Sequence, residues 1–272
     1  MKVGIIGNGF VGEAQAFAFS PISEVYIYDV NPLRSLHTKE EVYNCDFIFV
    51  AVPTPMHSDG TQDLTYINEV FSQASGDGIY IIKSTILPGT TESLITKYPN
   101  LKIVFSPEFL TERTSKLDMM TQSRIIIGSE NEILGKEVEK LFAARFMNRH
   151  FIHTDTKTAE LIKYMNNTFF ATKISIINEF KRLSDKLGAD WEKALYGFVS
   201  DGRIGDSHLH IPGPDGMHGY GGVCFPKDVN ALVSLGKKLD APMNTIEAGW
   251  KTNLEVRERA EWEELKGRGV SK

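Results

Sequence analysis

Cysteine is scarce in this chain: Cys45 and Cys224 are the only two in 272 residues. They could close at most one bridge, which excludes a disulfide framework and makes free thiols in a reducing cytoplasm the expectation. No apolar run is long enough to span a bilayer, and the apolar N-terminus MKVGIIGNGF is broken by glycines, so neither a membrane span nor a signal peptide is expected. Positive charge is not in excess either. A formal net charge of -5 offers no field to attract nucleic acid. Metal-ligand spacing is also missing: His208, His210 and His218 crowd one loop, yet no cysteine or carboxylate completes a known ligand set there. No metal is expected, and these histidines are assigned to substrate or subunit contacts. Finally, the stretch from Thr154 to Leu187 contains neither proline nor glycine and spaces its apolar residues helically, which predicts one long helix.

What the chain does have is rhythm. Short apolar runs, KVGIIG, VYIYD, FIFVAV, IYIIKST, KIVFS, RIIIG and HFIHT, alternate with helical stretches through the first half. Runs rich in Val, Ile, Tyr and Phe are what parallel strands buried on both faces require. The predicted class is α/β: a doubly wound parallel sheet over residues 1–152, then an all-helical domain over 153–272 entered through the long helix. Within the helical part, SDGRIGDSHLHIPGPDGMHGYGGVC reads as a functional loop, since helix resumes directly after it.

GIIGNGFVGEA sets Gly7, Gly9 and Gly12 in the G-x-G-x-x-G register between the first strand and the first helix. Glycine permits the tight turn there and lets backbone amides approach a pyrophosphate, with Phe10 and Val11 in the same turn. Asp29 closes the second strand, where a carboxylate would accept from ribose hydroxyls and repel a 2′-phosphate. A Rossmann-type site for NAD, in preference to NADP, follows. AELIKYMNNTFF places Lys163 and Asn167 one helical turn apart, on one face. Their neighbours Leu161, Ile162, Phe169 and Phe170 suggest a largely buried helix, in which a lysine needs a partner such as a developing oxyanion. Glu108 and Glu112 in SPEFLTER and Thr85 in IIKSTILPGT lie at strand ends, where open α/β sheets collect ligands. In GYGGVCFPKD, Pro226 suits a first helical turn, so Cys224 should lie just before a helix N-terminus. The partial positive charge there, with Lys227 near, favours thiolate and makes Cys224 a candidate nucleophile, with Asp228 on its side of the helix. Cys45 reads as a structural thiol.

Taken in order, GNGFVG, FVAVPTP with DGTQDL, KSTILPGT, SPEFLTE, ELIKYMNN, DGRIGDSH and GYGGVCFPKD resemble the UDP-glucose/GDP-mannose dehydrogenases, NAD-dependent enzymes that oxidise a sugar alcohol twice, to a carboxylate. The resemblance implies a nucleotide-sugar substrate, a homodimer built on the long helix, and a place in polysaccharide biosynthesis. It implies that Cys224 captures the aldehyde, that Lys163 and Asn167 hold the oxygen that becomes negative, and that Asp228 orders a water beside Lys163. Glu108 would activate water on a thioester, positioned by Thr85. Pro53, Thr54 and Thr85 would join the glycine turn and Asp29 around NAD. Phe109, Leu110, Glu112 and Gly221 would contact substrate, and Arg203 would reach the neighbouring subunit's substrate.

Two departures stand out. Between Asp29 and FIFVAV the chain has only VNPLRSLHTKEEVYNCD, much less than the family's insert. After the helical domain the family has a third, nucleotide-binding domain, whereas this chain ends in EVRERAEWEELKGRGVSK, expected as a charged helical tail. Two other readings stay open: a β-hydroxyacid dehydrogenase, which shares the plan and the K-x-x-x-N pair but needs no thiol, and a non-catalytic NAD-binding remnant.

Overall fold

In a computed structural model that describes residues 1–271, each of the seven apolar runs forms a strand. These are β1 (Lys2–Ile6), β2 (Glu24–Tyr28), β3 (Phe47–Val50), β4 (Ile79–Ile82), β5 (Lys102–Phe105), β6 (Arg124–Gly128) and β7 (His150–Thr154). They make one sheet in the order β2-β1-β3-β4-β5-β6-β7. The first five are parallel. β6 joins β5 antiparallel through Phe105 and Gly128, and β7 runs parallel to β6, so the expected all-parallel sheet holds for five strands and its last two are reversed.

Burial on both faces explains the near-continuous apolar strands. Ile5, Phe49, Ile81 and Val104 pack on one side with α1 (Phe10–Phe19) and α6 (Glu132–Arg145). Ile6, Ile48, Val50, Tyr80, Ile82 and Phe105 pack on the other, with α2 (Lys39–Tyr43), α3 (Thr65–Gln73) and α4 (Thr90–Lys97). The short α2 fills the trimmed connection after Asp29; a capping box between Thr38 and Glu41 satisfies its first amides. A further helix, α5 (Ser115–Thr121), follows β5.

The expected long helix is α7 (Thr156–Leu187). Internal contacts divide the chain into two compact units: Met1–Thr54 with Asp63–Lys163, and Pro55–Gln62 with the chain from Tyr164 onward. In the first unit Glu160, fully buried, accepts hydrogen bonds from the Gly89 amide (2.6 Å), the Thr91 amide (2.8 Å) and the Thr91 hydroxyl (2.6 Å), so it caps α4. Burial pushes its carboxyl up to about 7 against the pull of those three donors.

The second unit adds α8 (Trp191–Val199), α9 (Cys224–Lys238) and α10 (Asn244–Val256). Ala171, Tyr220 and Val229 form its small core, with Ile174, Phe225, Ile246 and Trp250 against it. The charged tail is not helical as expected. Helix stops at Val256, Arg257 is extended, and a 3-10 turn over Glu261–Glu264 leads to bridges from Val270 to Met56 and Lys266. The reason is that Arg257 and Trp262 are themselves buried: Arg257 pairs with Asp215 and Glu261, and Trp262, 2% exposed, has its ring 5.3 Å from that of Trp250.

Helix α7 is less fully buried around Lys163 than expected. Leu161 is 42% and Phe169 66% exposed, whereas the buried face carries Tyr164, Asn167, Thr168, Ala171 and Ser175. Lys163 is buried as expected, and of its four apolar neighbours Ile162 and Phe170 are half-buried. Among the described residues no helix is long and apolar enough to cross a membrane.

Candidate active site

The glycine turn has the geometry its sequence pattern demands. Gly7 has φ +93°, and a Cβ there would lie 2.6 Å from the Ala51 carbonyl oxygen; at Gly12 a Cβ would collide with the Gly7 carbonyl. Gly9 is the N-cap of α1, with no side-chain cap, and a Cβ on it would meet nothing within 4 Å. Open space therefore adjoins the first-turn amides at Phe10, Val11 and Gly12, a setting suited to phosphate oxygens. Asp29 lies at the end of β2, its carboxylate accepting from the Asn8 amide (2.7 Å) and the Asn31 amide (2.8 Å). The loops after β3 and β4 are tied together where Thr54 donates to the Thr85 carbonyl (2.7 Å) and Ser84 to the Val52 carbonyl (2.7 Å). Pro53 is exposed beside them. The residues present fit a bound dinucleotide.

Beyond β5 the chain turns sharply, and Glu108 is buried there at 6% exposure. Its Oε2 accepts from the Leu110 amide (2.5 Å), while Lys163 Nζ lies 3.0 Å from Oε1 and 2.6 Å from the Glu108 carbonyl oxygen. The ammonium also lies 5.3 Å from the centre of the Phe109 ring. Burying a lysine and a carboxylate is tolerable because each satisfies the other. Sequence reasoning missed a third member. Lys83, 4% exposed at the end of β4, donates to the Pro107 carbonyl (3.1 Å) and Ser106 Oγ (3.4 Å), directly behind Glu108. Burial pushes its amine down to about 7, with Glu108 pulling it up and Lys163 pushing it down. Its signal was a lysine ending an otherwise apolar strand, IYIIKST.

In the helical unit, Cys224 is the first residue of α9, one position further in than expected, with Val223 as N-cap. One turn on, Asp228 is 1% exposed. It accepts from Asn167 Nδ2 (2.7 Å) and is ion-paired with Lys227 (2.6 Å), itself buried. Asp228 is thus held by Asn167 and Lys227. Cys45 is 3% exposed, and burial pushes its thiol up to about 11. A Cβ at Gly221 would meet the Glu261 carboxylate and the Arg257 guanidinium, so a larger residue there would require those two side chains to move. Glu112 is exposed in a 3-10 turn, with Phe109 and Leu110 half-buried before it. Arg203 is exposed and paired with Asp201 (2.5 Å). His208 stacks on Phe170, ring centres 4.0 Å apart.

The structure therefore gathers the candidate residues into three groups: the glycine turn with Asp29, the pair Lys163–Glu108 backed by Lys83, and Asn167–Asp228–Lys227 one turn beyond Cys224. Helix α7 carries Lys163 and Asn167 on successive turns.

Comparison with known proteins identifies the family. The family model for the NAD binding domain of the UDP-glucose/GDP-mannose dehydrogenase family matches residues 32–146, and that for the central domain matches residues 157–255. The chain is 37% identical over 219 residues to the UDP-glucose 6-dehydrogenase YwqF of Bacillus subtilis, covering 76% of this chain and 48% of that protein. It is 30% identical over 299 residues to the UDP-glucose 6-dehydrogenase TuaD of the same organism, covering 94% and 63%. A solved UDP-glucose dehydrogenase from Pyrobaculum islandicum superposes with a TM-score of 0.84 at 28% identity, covering 93% of this chain and 68% of that one. The chain spans about half the length of the first of these relatives. The cofactor is NAD. With both domain models matched in order along the chain, the protein belongs to the UDP-glucose/GDP-mannose dehydrogenase family.

Proposed function

We propose that this protein oxidises the primary alcohol of a nucleotide sugar of the UDP-glucose kind to the carboxylate in two steps. The observation that supports it most is Cys224 as the first residue of a 15-residue helix, with the buried Asn167–Asp228–Lys227 network one turn behind it. NAD, when bound, would supply the hydride acceptor for both oxidations. The glycine turn would hold its pyrophosphate and Asp29 its ribose. Lys163 and Asn167 donate to the alcohol oxygen as it becomes negative, and donors of this kind are worth about 3 kcal/mol each. The hydroxyl proton leaves through a water ordered by Asp228. The Cys224 thiolate then adds to the aldehyde carbon, forming a C–S bond and a thiohemiacetal. Loss of the second hydride from that carbon leaves a thioester. Glu108 takes a proton from water as it attacks; the C–S bond breaks, returning the thiolate and leaving the acid. A β-hydroxyacid dehydrogenase stops after one oxidation and gives Cys224 no task. The test is turnover against UDP-, GDP- and free sugars, counting NADH formed per product; one NADH for every substrate accepted would overturn the reading.

Specificity for NAD over NADP rests on Asp29, whose charge would repel a 2′-phosphate. Asp29→Ala should narrow the affinity gap, and equal affinities of the wild-type protein for the two cofactors by calorimetry would remove the assignment.

A homodimer is proposed from α7. Leu161, Met165, Phe169, Ile176, Phe180 and Leu183 are each more than 40% exposed along it, an apolar face that is costly in water. Light scattering at micromolar concentration should give twice the 30.5 kDa chain mass. A monomeric mass would sink the idea. Arg203 is proposed to act across that interface.

A further inference from the structure

The loop that delivers Cys224 is fastened by α10 and the segment that follows it. Tyr220, 4% exposed, is gripped by Asn253 of α10, which accepts from its amide (2.7 Å) and donates to its carbonyl (3.0 Å). Two residues on, the Gly222 amide donates to Glu261 Oε1 (2.9 Å). Gly222 has φ +71°, and the ends of the Glu261 and Arg257 side chains occupy the space beside Gly221 where a Cβ would go. Arg257, its side chain 1% exposed, binds Glu261, pairs with Asp215 (2.7 Å) and donates to the His218 carbonyl (3.2 Å). Buried Trp262 anchors the 3-10 turn that carries Glu261. Hydrogen bonds with Arg257, Asn253 and Glu261 thus hold the backbone at 218, 220 and 222, immediately before the thiol.

We propose that Glu261, braced by Arg257, is a positioning residue for Cys224: its carboxylate fixes the Gly222 amide and so sets where the thiol sits at the start of α9. This rests on the reading of Cys224 as nucleophile. A carboxylate suits the task because it accepts from backbone and guanidinium at once, and such charge-assisted bonds are the strong ones. Polar partners in a buried cluster also specify one backbone arrangement where an apolar contact would permit several.

The test needs no substrate. Alkylation of Cys224 by iodoacetamide, followed by peptide mass spectrometry on the full chain, reports the thiol's setting; buried Cys45 reports unfolding of the first unit, and the fluorescence of the packed Trp250 and Trp262 reports unfolding of the second. Glu261→Ala should slow Cys224 labelling at neutral pH by about threefold or more, since a thiol displaced from the helix start loses its electrostatic support. Glu261→Gln keeps an oxygen for Gly222 and should label close to the wild-type rate. Cys45 should stay unlabelled in both. Equal Cys224 rates in all three proteins would overturn the proposal. Glu261→Gln behaving like Glu261→Ala would also overturn it, because the Gly222 bond would not be the agent. If Glu261→Ala unfolds, Glu261→Asp, which retracts the carboxylate by one methylene, decides: slower Cys224 labelling than wild type upholds the proposal, and an equal rate sinks it. Failure of the double oxidation shows separately, as one NADH per product from the wild-type protein, whatever the labelling rates.

Discussion

The Cys224→Ser variant is expected to stop after its first oxidation. The proposed sequence needs a group that adds to the aldehyde at neutral pH and later departs from the acyl carbon. A thiolate does both, whereas a serine hydroxyl is barely ionised and its alkoxide leaves poorly. The first hydride transfer depends on Lys163, Asn167 and bound NAD, so it should be affected much less than acid formation, which should fall at least about a hundredfold. The wild type should give two NADH per acid; the variant should give aldehyde, with one NADH per turnover. Mass spectrometry of the wild type with NAD and an accepted sugar nucleotide should find an adduct on Cys224. None is expected on Cys45, whose thiol burial holds at about 11. An undiminished yield of two NADH from Cys224→Ser would reduce the cysteine to a small residue at the start of α9.

Much of this architecture is legible in the sequence because local chemistry and tertiary context agree there. KVGIIG and FIFVAV read as strands since both faces of each are buried, one in each core layer. The glycine turn is legible because Gly7 and Gly12 have steric reasons to be glycine that no neighbour could relieve. What escaped depends on partners distant in the chain. RIIIG is apolar whichever way it runs, so its reversal against β5 left no trace in composition. Helical spacing predicted α7 but not its inward side: Tyr164, Asn167 and Thr168 are buried while Phe169 is 66% exposed. The tail shows the same limit. Its charges suggested a solvated helix, but Arg257 finds Asp215 and Glu261, and Trp262 finds Trp250.

Lys83 is the clearest case of a site residue that only the structure discloses, and it yields the second large expected effect. Its amine is buried, its hydrogen bonds go to Pro107 and Ser106, and the charged groups coupled to it are Glu108 and Lys163. Burial lowers its pKa from 10.5 to about 7, so between those values the unfolded chain binds a proton that the folded chain does not. Stability therefore rises with pH across that window, at roughly 1.4 kcal/mol per pH unit, and the gain is lost as pH falls toward 7. Lys83→Met removes the titrating group while keeping an unbranched chain of similar length in the cavity. Measured by urea unfolding at pH 7, 8 and 9, the wild type should gain on the variant by about 2 to 3 kcal/mol over the range. Below pH 7 the folded lysine is charged, and there Met should be the more favourable occupant, since an apolar side chain escapes the desolvation cost that a buried ammonium bears. A stability difference that does not change with pH would mean that Lys83 stays charged inside the fold throughout. The ammonium behind Glu108 would then be a permanent counter-charge to that carboxylate.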